Sequence, residues 1–136
     1  MPDVAKTPML RALVIDDQAS VRATISIVLK NKGFDVVAVE TGVAGLKELT
    51  ASHFDVAIVD IYMPGIDGTK IIQLLRLRDE KLPIVAISGV LLTASGRTAL
   101  DFFPLAPALA DVICLKKPFR DTELLQSIEK AMAVAA

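Results

Sequence analysis

Residues 56–68 read Val56-Ala57-Ile58-Val59-Asp60-Ile61-Tyr62-Met63-Pro64-Gly65-Ile66-Asp67-Gly68. The opening residues, Val56 to Val59, are apolar, rich in β-branching and continuous rather than alternating, the pattern of a short strand covered on both faces. The run ends on a carboxylate, and Pro64, Gly65 and Gly68 follow as turn residues. Outward from this stretch, similar runs recur at Leu13-Val14-Ile15, Val36 to Val39, Ile84 to Ile87 and Val112 to Leu115. Helical periodicities fill the gaps. Val21, Ile25, Val28 and Leu29 share one face, and Gly33 supplies a stop. Thr41 can cap a short helix that buries Leu46 and Leu49. Ile71, Leu74 and Leu75 line a third helix, and Leu124, Ile128, Ala131 and Met132 line the last. This alternation predicts an α/β domain with right-handed crossovers and a parallel sheet covered on both sides. About five helices are expected. The fourth should be irregular or shortened, because Ser95-Gly96 reads as a turn and Pro104 and Pro107 interrupt the stretch from Gly89 to Asp111.

A chain of 136 residues fits one domain with a sizeable core. Fifteen Lys and Arg stand against sixteen Asp and Glu, for a formal net charge of -1. That balance offers no overall attraction to nucleic acid or to an anionic membrane. Cys114 is the single cysteine, so an internal disulfide is excluded, which suits a reducing compartment. The first residues lack a basic region followed by an apolar stretch, and the most apolar window, Leu82 to Leu92, is too short to cross a bilayer. A cytoplasmic location is expected.

Ligands of an open parallel sheet bind beyond the carboxyl ends of its strands, where the loops diverge. The residues that follow the apolar runs are therefore the ones to inspect. They are Asp16 and Asp17 after the first, Asp60 after the third, Ser88 after the fourth, and Lys116, Lys117 and Pro118 after the fifth. Three carboxylates gathered at one rim repel one another, and a hard divalent cation with oxygen ligands relieves that repulsion; Mg²⁺ fits. One divalent cation and one lysine would balance the three carboxylates. Phosphoryl transfer uses the same parts: a metal on the transferring oxygens and fixed positive charge opposite the developing negative charge. Asp60 could attack phosphorus as a carboxylate nucleophile and form an acyl phosphate.

With the Asp16-Asp17 pair, the 60–68 segment, Ser88-Gly89 and Lys117-Pro118-Phe119 in this order, the sequence resembles the receiver domain of two-component response regulators from Leu10 to Ala131. The resemblance implies a flavodoxin-like, doubly wound fold with five parallel strands in the order 2-1-3-4-5. It implies that Asp60 accepts a phosphoryl group from a histidine kinase or a histidine phosphotransfer protein, and that the change alters affinity for a downstream protein partner. Asp17 and Asp60 would ligate Mg²⁺, with Asp16 assisting partly through water and the backbone carbonyl of Tyr62 as a further ligand. Ser88 would be the switch hydroxyl and Lys117 the phosphate partner. The family also suggests a cis Lys117-Pro118 bond. The expected organisation is an N-terminal extension over 1–9, a receiver over 10–134 and no output domain, with no nucleic acid and no membrane among the partners. Self-catalysed phosphotransfer with slow autodephosphorylation, rather than turnover of a substrate, is the expected chemistry. Tyr62 and Val90 flank the site and are expected to slow hydrolysis by positioning water poorly.

Several features depart from that pattern or compete with it. Many receivers carry an aromatic residue three positions before the conserved lysine; here Cys114 stands there, a small thiol expected to serve in packing. The interval from Ser88 to Lys117 is longer than usual. Taken singly, Asp17 reads equally as a helix cap, Ser88 as a turn residue, Lys117 as a surface lysine and Phe102 or Phe103 as core. His53 reads as an exposed residue before the third strand, without metal partners. A rival function is a phosphorylation-independent interaction module of the same fold. An aspartate-nucleophile phosphatase is disfavoured, since Tyr62 occupies the position where those enzymes need a second Asp.

Overall fold

β1 (Arg11–Ile15), β2 (Asp35–Val39), β3 (Val56–Asp60), β4 (Ile84–Ser88) and β5 (Ile113–Lys116) form one sheet in the order β2-β1-β3-β4-β5. Every pairing is parallel, with Leu13 opposite Val37 and Ala57, and Asp60 opposite Ile87. The computed structural model describes residues 9–61, 68–88 and 111–135. These include four helices: α1 (Ala19–Asn31), α2 (Gly42–Ala51), α3 (Gly68–Arg78) and α4 (Asp121–Ala135). The fourth of the five expected helices, Phe102, Phe103, Tyr62 and Val90 all fall outside the described residues.

Side chains alternate across the sheet and divide the core in two. Leu13, Ile15, Ala57, Val59, Ile84 and Ala86 point to the face covered by α2 and α3, where Ile71, Ile72 and Leu75 meet them and Leu46 and Leu49 pack alongside. Ala12, Val14, Val56, Ile58, Val85 and Ile87 point to the other face, against Ile25 and Leu29 of α1 and Leu124, Ile128 and Ala131 of α4. Burial on both faces explains why β1, β3 and β4 carry no polar alternation. β2 and β5 are different: their burial patterns are mixed, and Cys114 is exposed. Cys114, expected to serve in packing, is therefore not part of the core, although its thiol is partly desolvated. Both strands stand at edges of the sheet, where a continuous apolar run does not guarantee two covered faces.

The helix boundaries follow local chemistry. After α1, Gly33 adopts φ 90°, its N–H donates to the Lys30 carbonyl, and the Phe34 N–H donates to the Leu29 carbonyl, the paired bonds of a Schellman stop. Thr41 caps α2 through its hydroxyl oxygen, which accepts from the Ala44 N–H at 3.1 Å. Gly42 and Gly45 let α2 approach the sheet and α3 closely, since a Cβ on Gly42 would overlap Ile71 and one on Gly45 would overlap Ile15. Among the described residues no helix is long and apolar enough to cross a membrane.

Candidate functional site

The carboxyl ends of β1, β3, β4 and β5 sit side by side because the four strands are neighbours in register. Asp16 therefore leaves β1 beside the last residue of β3, Asp60, and Ser88 ends β4 next to Lys116 of β5. Asp16, Asp60 and Ser88 are all buried, while Asp17 is exposed at the mouth. One oxygen from each of Asp16, Asp17 and Asp60 lies within 4.8 Å of the others, close enough to share one cation. The helix-cap reading of Asp17 is not realised, since Gln18 is the N-cap of α1 and makes no side-chain cap bond.

Lys117 closes the cluster. Its Nζ donates to Asp16 Oδ2 at 3.1 Å, to Asp60 Oδ2 at 3.3 Å and to Gln18 Oε1 at 3.3 Å. The neighbouring Lys116 is exposed, so the choice between adjacent lysines falls to Lys117. The Lys117-Pro118 bond is cis, as the resemblance suggested. The Lys117 N–H donates to the Ser88 carbonyl at 2.7 Å, which ties the end of β5 to the end of β4. Ser88 and the lysine are therefore linked through the backbone.

Asp16 is held from several sides. Its Oδ1 accepts the Gln18 N–H at 2.8 Å, its N–H donates to the Val39 carbonyl at 3.1 Å, and its carbonyl accepts from Arg22 Nη1 at 2.9 Å. Gln18 and Arg22 escaped the reading of the sequence. Gln18 directly follows the Asp pair, and Arg22 lies one turn into α1, so adjacency and helical spacing were the signals available.

The oxygen-only donor set fits Mg²⁺, which takes carboxylates, carbonyls and waters. Lys117 contacts both Asp16 and Asp60, and one ammonium beside three carboxylates leaves negative charge that a divalent ion would offset. Tyr62, the expected carbonyl ligand, lies outside the described residues. His53 is exposed and pairs with Asp55 at 3.2 Å, far from this rim in the sheet and at the opposite end of β3.

Residues 12–129 match the family model of the response regulator receiver domain. The chain is 29% identical over 127 residues to the transcriptional regulatory protein FixJ of Bradyrhizobium diazoefficiens, a match covering 90% of this chain and 56% of that one. It is 32% identical over 118 residues to the DNA-binding response regulator MtrA of Mycolicibacterium paratuberculosis, covering 87% of this chain and 49% of the relative. The chain thus spans about half the length of the curated relatives it matches. A solved response regulator receiver protein from Sinorhizobium medicae superposes with a TM-score of 0.80 at 26% identity, covering 96% of this chain and all of that one, 100%. The chemotaxis protein CheY4 of Vibrio cholerae superposes with a TM-score of 0.79 at 25% identity, covering 91% and 99%. With its fold, its acidic rim and its lysine in the family's order, this chain belongs to the response regulator receiver domains of two-component signalling.

Proposed function

We propose that Asp60 is the phosphoacceptor and that its modification switches the affinity of this domain for a protein partner. An oxygen of Asp60 attacks the phosphorus of a phosphohistidine on a kinase or phosphotransfer protein. The P–O bond forms as the P–N bond breaks, and the departing imidazole nitrogen keeps the electron pair and takes up a proton. Asp16, Asp17 and Asp60 would hold Mg²⁺, with the Tyr62 carbonyl as a further ligand, and the ion would neutralise charge on the transferring oxygens. Lys117 already donates to Asp60, which supports a role for its ammonium in pairing with a phosphoryl oxygen on the product. In this reading the Ser88 hydroxyl supplies a second donor, and the Ser88–Lys117 backbone bond transmits the change to β5.

The contact of Lys117 with both buried carboxylates is the observation that carries the reading. A phosphoryl group adds about -1.5 to -2 charge and three acceptor oxygens, enough to bias a two-state equilibrium near the ends of β4 and β5. The near-zero net charge supports a protein partner for this segment rather than nucleic acid. Intact mass after incubation with Mg²⁺ and acetyl phosphate tests the assignment. The expected result is the gain of one phosphoryl group in the wild type and none in Asp60→Asn. A gain that survives the substitution overturns the acceptor, and no gain in the wild type favours the phosphorylation-independent module.

A further inference from the structure

We propose that Gln18 is a positioning residue that fixes the ammonium of Lys117 for phosphoryl transfer, an inference that rests on the function proposed above. An ammonium has three N–H donors, and here three acceptors meet them: Asp16 Oδ2, Asp60 Oδ2 and Gln18 Oε1. When Asp60 becomes an acyl phosphate, its contact with Lys117 must be exchanged for one to a phosphoryl oxygen. The two anchors that remain are Asp16 and Gln18. They are coupled, because the Gln18 N–H also donates to Asp16 Oδ1 at 2.8 Å. Residue 18 therefore holds both members of the Asp16–Lys117 pair, one through its backbone and one through its side chain.

The side chain makes this contact in place of a cap. Gln18 is the N-cap of α1, yet it forms no side-chain cap bond. Its amide oxygen is directed across the rim to a residue 99 positions away. A neutral amide suits the task, since it orients the ammonium without cancelling the charge that the phosphoryl oxygens must meet. A carboxylate there would orient the lysine equally well but would add a fourth negative charge to the rim.

Two measurements on the full chain test this. In the metal-free protein, ¹⁵N NMR should detect a protected Lys117 ammonium signal in the wild type, weakened or lost in Gln18→Ala and retained in Gln18→Glu. An unchanged signal in Gln18→Ala overturns the proposal. With Mg²⁺ and acetyl phosphate, Gln18→Ala should slow phosphorylation at least roughly tenfold, the scale of one hydrogen bond to a charged group. In a Lys117→Ala background the same substitution should have no further effect. Equal slowing in both backgrounds overturns the proposal, because the residue would then act without the lysine. A wild-type chain that accepts no phosphoryl group removes the proposed function itself, and with it the role of Gln18 in transfer. The NMR arm separates that failure from a failure of the Gln18–Lys117 contact.

Discussion

Asp16 and Lys117 lie 101 positions apart in the chain, and the Lys117 ammonium donates to Asp16 Oδ2 at 3.1 Å. The carboxylate is wholly buried, and the lysine side chain retains 17% exposure. A charge in that position needs its partner, because desolvation is offset only while the pair and its hydrogen bonds are intact. The pair closes the sheet's functional rim by joining the loop after β1 to the end of β5.

Lys117→Met should lower stability in the absence of divalent cation by up to about 3 kcal/mol, since it strands buried carboxylates without their ammonium. Mg²⁺ should restore more stability to this variant than to the wild type, because the metal replaces missing positive charge. Thermal melts with EDTA and with Mg²⁺ would measure both effects. Equal stabilisation of the two proteins by Mg²⁺ would count against electrostatic competition at this rim.

Gly45→Ala should destabilise the domain by about 1 to 2 kcal/mol. Alanine is the better helix former by roughly 1 kcal/mol, but its Cβ would overlap the side chain of the fully buried Ile15, which would have to shift within the core. Pairing the change with Ile15→Val should recover part of the loss. Urea unfolding of the single and double variants provides the check.

Gly33→Ala should cost about 1 kcal/mol for a different reason. Nothing stands within 4 Å of a Cβ there, so the penalty comes from the positive φ of 90° alone. A loss in urea unfolding without any change in the slope of the transition is the expected result.

Partial burial of the thiol raises the Cys114 pKa above its ordinary value, although the residue as a whole is exposed at the edge of the sheet. The folded state thus disfavours the thiolate. Its contribution to stability is present below the unfolded thiol's value of about 8.5 and is lost as pH rises toward and through the higher folded value. Iodoacetamide should therefore modify the native chain more slowly than the urea-unfolded chain at the same mildly alkaline pH. Cys114→Ser should flatten the fall in stability over that range.

Much of the architecture was legible because burial on both faces leaves a local mark. Val56 to Val59 and Ile84 to Ile87 carry no polar alternation, and the structure covers both faces of β3 and β4. The stop at Gly33 and the start at Thr41 were equally local, since a positive φ and an N-cap each depend on a few adjacent residues. Cys114 misled because its run, Val112 to Leu115, is as apolar as a central strand, while its exposure depends on standing at the sheet's edge.

The linear order of residues was sufficient to select the strands, the end of α1 at Gly33 and the start of α2 at Thr41, the acidic residues at the rim and the family whose pattern they follow. It could not say that the Gln18 amide would reach Lys117, that Arg22 would hold the Asp16 carbonyl, or that Asp17 would be left uncapping and exposed at the mouth. Strand burial and turn conformation arise from neighbours along the chain. Contacts between side chains as remote as residues 18 and 117 exist only once strand order and register have brought distant loops to one edge, and that is a property of the assembled sheet.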